Sequence, residues 1–116
     1  KEMADQYHEP VSELTGKDRD FVRALNSLKE EIEAVAWYHQ RVVTTKDETV
    51  RKILEHNRDE EMEHAAMLLE WLRRNMPGWD EALRTYLFTD KPITEIEEET
   101  SGGSENTGGD LGIRKL

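Results

Sequence analysis

The sequence predicts an all-α protein: an antiparallel two-helix hairpin followed by a short C-terminal helix, with a four-helix bundle completed by a second copy. Three observations carry that prediction. Two long stretches, both free of Gly and Pro, hold apolar residues at helical spacing. A short polar connection joins them, which makes neighbouring helices antiparallel. Charged residues make up 36% of the 116-residue chain, against 35% for the AVILMFWYC set. The apolar core of one chain is therefore expected to be small, and its stripes need a partner to cover them.

Residues 1–16 read as a polar arm, with one helical turn around Val11–Leu14 between Pro10 and Gly16. From Lys17 to Thr44, the residues Phe21, Leu25, Leu28, Ile32, Val35, His39 and Val42 recur every three or four positions, the stripe of a long helix. Thr45-Lys46-Asp47-Glu48 fits a capping box, in which a Thr hydroxyl and a Glu three residues on satisfy free N–H groups. The second helix is expected over Lys46–Asn75, with the stripe Val50, Leu54, Asn57, Glu61, His64, Leu68 and Trp71. At 1.5 Å per residue each long helix reaches roughly 40–45 Å. Met76-Pro77-Gly78 ends the second, since proline supplies no N–H and glycine permits the turn. Trp79–Phe88 is a shorter third helix, closed by Lys91-Pro92. Another turn starts over Thr94–Glu99, although Glu97-Glu98-Glu99 also suits a merely solvated stretch. The domain reading is an arm over 1–16, a helical domain over 17–99, a flexible linker over 100–110 and a terminal peptide over 111–116.

Charge and composition exclude several functions. The formal net charge is −10 and the pI is about 4.8, which disfavours phosphate-backbone binding and suits cations. No nucleic-acid partner is expected. No run of about 18 apolar residues exists, so no membrane-spanning helix is expected. No signal peptide is visible at the start. Cysteine is absent, so thiol catalysis and zinc-thiolate sites are excluded, and any metal site must use oxygen and imidazole.

The second stripe is interrupted where it matters. Glu61 and His64 stand where periodicity calls for Leu or Ile, between Leu54 and Leu68. An ionised carboxylate in an apolar seam is costly unless it is paired or binds a cation. Spacing i, i+3 puts both side chains on one face, one turn apart, where they can chelate one ion. In the first helix Glu31 borders the apolar stripe, and Tyr38 follows seven residues on, on the same side. Antiparallel pairing brings Glu31 close to Glu61. Ferritin-like di-iron bundles use two lone Glu residues and two Glu-x-x-His pairs on four helices. This chain carries half of that set, and a twofold dimer supplies the rest. The metal-free alternative is a buried Glu/His pair satisfied by an Arg, with Glu55, His56, Asn57, Glu60 and Glu63 as helix surface.

Glu30 and Glu33 share another face, about 100° and 160° from the Glu31 side. They form either an acidic approach that attracts divalent cations or a solvated face. His39 is expected as a satisfied core residue, His8 and His56 as surface, and Trp37, Trp71 and Met67 as packing groups. Tyr38 is either a hydrogen-bond partner of a ligand carboxylate or a core-edge residue.

Longer motifs point to a family. Glu30-Glu31-Ile32-Glu33-Ala34-Val35-Ala36-Trp37-Tyr38 with Gln40-Arg41-Val42 resembles the encapsulated ferritins. So do His56 to Met67, continuing through Glu70-Trp71-Leu72-Arg73-Arg74, and Tyr86 to Thr94. The resemblance covers most of residues 20–98. It implies a ferroxidase with a two-helix protomer, a ferritin-like bundle completed by dimerisation, and a di-iron site formed only between subunits. By position Glu31, Glu61 and His64 match the catalytic iron ligands. Glu30 and Glu33 match an acidic site through which metal is taken up, with calcium or another divalent cation as occupant, and Trp37 and Tyr38 match residues flanking the centre. The family's dimers form a ring-shaped decamer packaged in an encapsulin shell, which implies an encapsulin nanocompartment in a prokaryotic cytoplasm. Leu111-Gly112-Ile113 and Leu116 after the linker resemble the cargo-loading peptide that docks on that shell, with Arg114-Lys115 where small residues are more usual. Two other functions fit the same residues: a non-catalytic, metal-buffering cargo protein and a di-metal peroxidase.

Overall fold

The computed structural model describes residues 6–104, and every described element is helical. A 3-10 turn over Val11–Glu13 precedes α1 (Gly16–Thr44), α2 (Glu48–Asn75), α3 (Trp79–Tyr86) and α4 (Ile93–Ser104). The chain divides into two compact units, one through Leu72 and one from Arg73.

The first unit is the hairpin. Thr15 starts α1 by a reciprocal capping box: its hydroxyl accepts the Asp18 N–H at 3.0 Å, and the Asp18 carboxylate accepts the Thr15 N–H at 3.0 Å. The Asp18 carboxyl lies below its usual range because it accepts that backbone N–H. Arg19 ties the preceding turn to the helix by donating to the Val11 carbonyl at 2.9 Å. The expected capping box at Thr45/Glu48 does not form. Thr45 instead closes α1, its N–H and hydroxyl both donating to the Arg41 carbonyl. Asp47 starts α2: its carboxylate accepts the Val50 N–H at 2.9 Å and its carbonyl accepts the Arg51 N–H. The connection therefore holds only Thr45–Asp47, and α2 starts two residues later than the sequence predicts.

Three cross-helix contacts give the antiparallel register. Phe21 meets Trp71 edge-on at 6.0 Å between ring centroids. Glu31 approaches His64 at 3.6 Å. An Arg58 guanidinium nitrogen lies 3.0 Å from His39 Nδ1. Each step back along α1 from the connection is matched by a step forward along α2. His39 is thus exposed and hydrogen-bonded across the hairpin, not buried in a core as expected, because the seam at its level is polar on both helices.

The stripes are only half covered. Among the described residues, the buried apolar side chains are Ala24, Val42, Leu72 and Ile96, with Leu72 fully enclosed. Ile32 remains 56% exposed and Met67 61%, and Trp37, Val50, Ile53 and Met62 are exposed as well. Trp71 packs as expected, whereas Trp37 and Met67 do not pack within this chain. Two helices give each stripe a single neighbour, so one flank of each stays open.

In the second unit, Gly78 adopts φ 104°, a left-handed conformation that suits glycine, and the chain turns there into α3. Asp80 in its first turn pairs with both Arg73 and Arg84, at 2.9 Å for Arg84. The Arg73 and Arg84 hydrogen bonds hold the Asp80 carboxyl below its ordinary range against a smaller opposing effect of burial. α3 stops at Tyr86, two residues short of the expected Phe88, and Phe88 itself has φ 60° and is fully exposed. The Pro92 carbonyl accepts the first N–H groups of α4 from Glu95 and Ile96 at 3.0 and 3.2 Å, and Lys91 Nζ grips Glu99 at 3.0 Å. These contacts nucleate a helix that propagates through Gly102-Gly103 to Ser104, where composition had suggested only one turn and a linker. The rest of the expected linker and the terminal peptide 111–116 lie outside the described residues, as do residues 1–5.

Candidate metal centre

Glu31 comes from the middle of α1, and Glu61 and His64 come from successive turns of α2. One ligand atom from each lies within 4.8 Å of the others. Among the described residues no other trio of His, Asp or Glu converges so closely. His64 Nδ1 stands 3.3 Å from Glu61 Oε1 and 3.6 Å from Glu31 Oε1. The one-turn spacing on α2 gives the first contact, and the antiparallel register gives the second.

The three groups are partly buried but reachable: the side chains are 25%, 24% and 42% exposed for Glu31, Glu61 and His64. A hydrogen bond with Glu61 pushes the Glu31 carboxyl above its ordinary range, burial and the Glu61 charge add to that rise, and His64 opposes it. The neighbouring Glu61 carboxylate raises the cost of ionising Glu31, because like charges side by side repel. A divalent cation among the three donors would offset that repulsion. The donor set is hard oxygen plus one imidazole, which suits Fe(II), Mn(II) or Zn(II). Three donors leave about half of an octahedral shell open. The residues therefore fit a metal and fall short of enclosing it.

The other expected site residues stand apart from this cluster. Glu30 and Glu33 are both exposed, and Glu30 accepts a hydrogen bond from Asn26 at 3.1 Å. Trp37 is exposed, and Tyr38 is partly buried beneath the Arg41 guanidinium, 5.2 Å above its ring. Two features near the site were not singled out from sequence. Glu60 Oε1 lies 3.9 Å from His64 Nε2, and its Oε2 lies 3.7 Å from His56 Nε2. Arg58, one turn before Glu61, spans to His39. The i, i+4 spacing of His56, Glu60 and His64 is legible in the sequence. The Arg58–His39 pair is not, since the two are 19 residues apart.

Comparison with known proteins finds relatives over most of the chain. The family described as EncFtn-like matches residues 6–90. The chain is 52% identical over 109 residues to a Rhodospirillum rubrum protein named "Encapsulated ferritin-like protein", covering 94% of this chain and 77% of that one. A crystal structure of a Nitrosomonas europaea protein superposes with a TM-score of 0.73 at 59% identity, over 75% of this chain and 96% of that chain.

Proposed function

The chain belongs to the EncFtn-like family, and from that premise we propose that it is a ferroxidase, oxidising Fe(II) with O₂ at a di-iron site shared by two copies. The observation that carries the proposal is the half-set itself. Glu31, Glu61 and His64 converge on a hairpin whose apolar stripes stay half open. A twofold axis beside that face doubles the donors to four carboxylates and two imidazoles and covers residues such as Ile32.

In this reading Fe(II) is the substrate. Glu31 and Glu61 present carboxylate oxygen to the iron, whose charge offsets the repulsion between them. Hard carboxylate oxygen favours the ferric over the ferrous state, which lowers the cost of removing the electron. His64 supplies nitrogen through Nδ1, the ring atom that faces both acids. Two irons held together deliver two electrons to one O₂, and the ferric product leaves for mineralisation. Glu30 and Glu33 supply exposed negative charge that draws divalent cations towards this part of α1. Trp37 and Tyr38 flank the completed centre.

We extend the proposal to further assembly, which rests on the family resemblance in the sequence. Dimers join as a decameric ring, and residues 111–116 dock the protein to an encapsulin shell that places it inside a nanocompartment. No helix among the described residues is long and apolar enough to cross a membrane.

The test is aerobic Fe(II) oxidation by the full chain and by Glu31→Ala, Glu61→Ala and His64→Ala, each checked for helicity. Each variant is expected to lose at least about 90% of the initial rate, since removing one ligand per copy removes two from the pair. Four equal rates would refute the proposal.

A further inference from the structure

Glu60 lies beside the metal centre without belonging to its three converging donors. It shares a helix face with His64 and His56, one turn from each, and its carboxylate is placed between their rings. Oε1 faces His64 Nε2 at 3.9 Å, and Oε2 faces His56 Nε2 at 3.7 Å. The two nitrogens of His64 therefore face different groups. Nδ1 looks into the Glu31/Glu61 pair, and Nε2 looks out to Glu60.

We propose that Glu60 is a positioning residue for His64: it accepts the Nε2–H when Nδ1 takes the metal, and so fixes the ring's tautomer and rotation. The proposal rests on the metal-centre reading above. A metal on Nδ1 leaves the proton on Nε2, and an imidazole in that state needs an acceptor there to hold its plane. Glu60 supplies it by a small rotation from its present distance. His56 Nε2 lies 3.7 Å from the second carboxylate oxygen on the far side.

The experiment uses the full chain with Zn(II), which has no redox chemistry, measured by calorimetry for wild type, Glu60→Leu, Glu60→Gln and His64→Ala. Glu60→Leu is expected to weaken Zn(II) binding about 10- to 100-fold, the usual loss when such a partner is removed. Glu60→Gln retains an acceptor oxygen and should recover most of that loss. A second readout is ¹⁵N NMR of the Zn(II)-loaded protein. The His64 Nε2–H should be slow to exchange in wild type and Glu60→Gln, and fast in Glu60→Leu. Wild-type affinity in Glu60→Leu overturns the proposal. So does equal weakening in Glu60→Gln and Glu60→Leu, which would mean that Glu60 acts by its charge or as a direct ligand. Loss of binding in His64→Ala alone leaves the metal centre standing while the role of Glu60 falls. Unchanged binding in His64→Ala removes the centre itself.

Discussion

Truncating Ile32 tests whether a second copy covers the open flank of α1. Ile32 follows the candidate ligand Glu31, yet it is 56% exposed in the single chain. Burying a whole Ile side chain stabilises by about 1.5–3 kcal/mol, so the part left for a partner contributes about 1 kcal/mol. Twofold symmetry counts that term twice, giving about 2 kcal/mol per dimer, or roughly 30-fold in the dissociation constant. Ile32→Ala should therefore dissociate at higher concentration than wild type, while its hairpin stays folded, because the contacts within the chain are mostly made elsewhere. Sedimentation equilibrium over a dilution series measures the shift, with far-UV circular dichroism as the check on folding. The same series, assayed for Fe(II) oxidation per chain, should lose activity as the dimer dissociates. If Ile32→Ala and wild type dissociate alike, the flank is not an interface. If a demonstrably monomeric chain oxidises iron at the full rate per chain, the half-set reasoning is wrong.

Two further predictions concern the helix ends. Thr15→Ala removes the hydroxyl that caps α1, and should cost about 0.5–2 kcal/mol of hairpin stability in urea unfolding; an unchanged midpoint would mean that the capping box contributes nothing. Asp80 is held below its ordinary value by Arg73 and Arg84, so the stability that it contributes is present above the unfolded carboxyl's value near 3.8 and is lost as pH falls through the lower folded value. Asp80→Asn removes that proton linkage, so the drop in melting temperature between neutral pH and about pH 3 should be smaller than in wild type; identical acid limbs would show that the Arg73–Asp80–Arg84 contacts are not maintained in solution.

Most of the fold was legible because its signals are local. The three- and four-residue recurrence from Phe21 to Val42 is a property of one helix and needs no partner to be read. Met76-Pro77-Gly78 stops a helix through its own backbone chemistry. The misplaced capping box shows the limit of this. Thr45 had two possible roles, closing α1 or opening α2, and the choice fell to the Arg41 carbonyl, which stands free at the end of α1, while Asp47 lay close enough to cap α2. α4 ran past its expected end because the Lys91–Glu99 pair and the Pro92 carbonyl support its first turns, contacts that composition does not encode.

The sequence by itself determined which chemistry the candidate site can support. Without cysteine, with excess acid, and with Glu61 and His64 in an apolar seam, it could hold only a cation that accepts oxygen and imidazole. The sequence also pointed to Glu31 beside the stripe, while tertiary structure decided how closely the three donors approach one another. Glu30, Glu31 and Glu33 are alike as residues and differ only in the direction in which the helix turns them, and the register of α1 against α2 brings Glu31, and neither of the others, to His64. It also decided that Glu60 stands behind the His64 ring. Distances between side chains on separate helices depend on how the helices pack, and packing is a property of the whole surface that no single stretch of sequence carries.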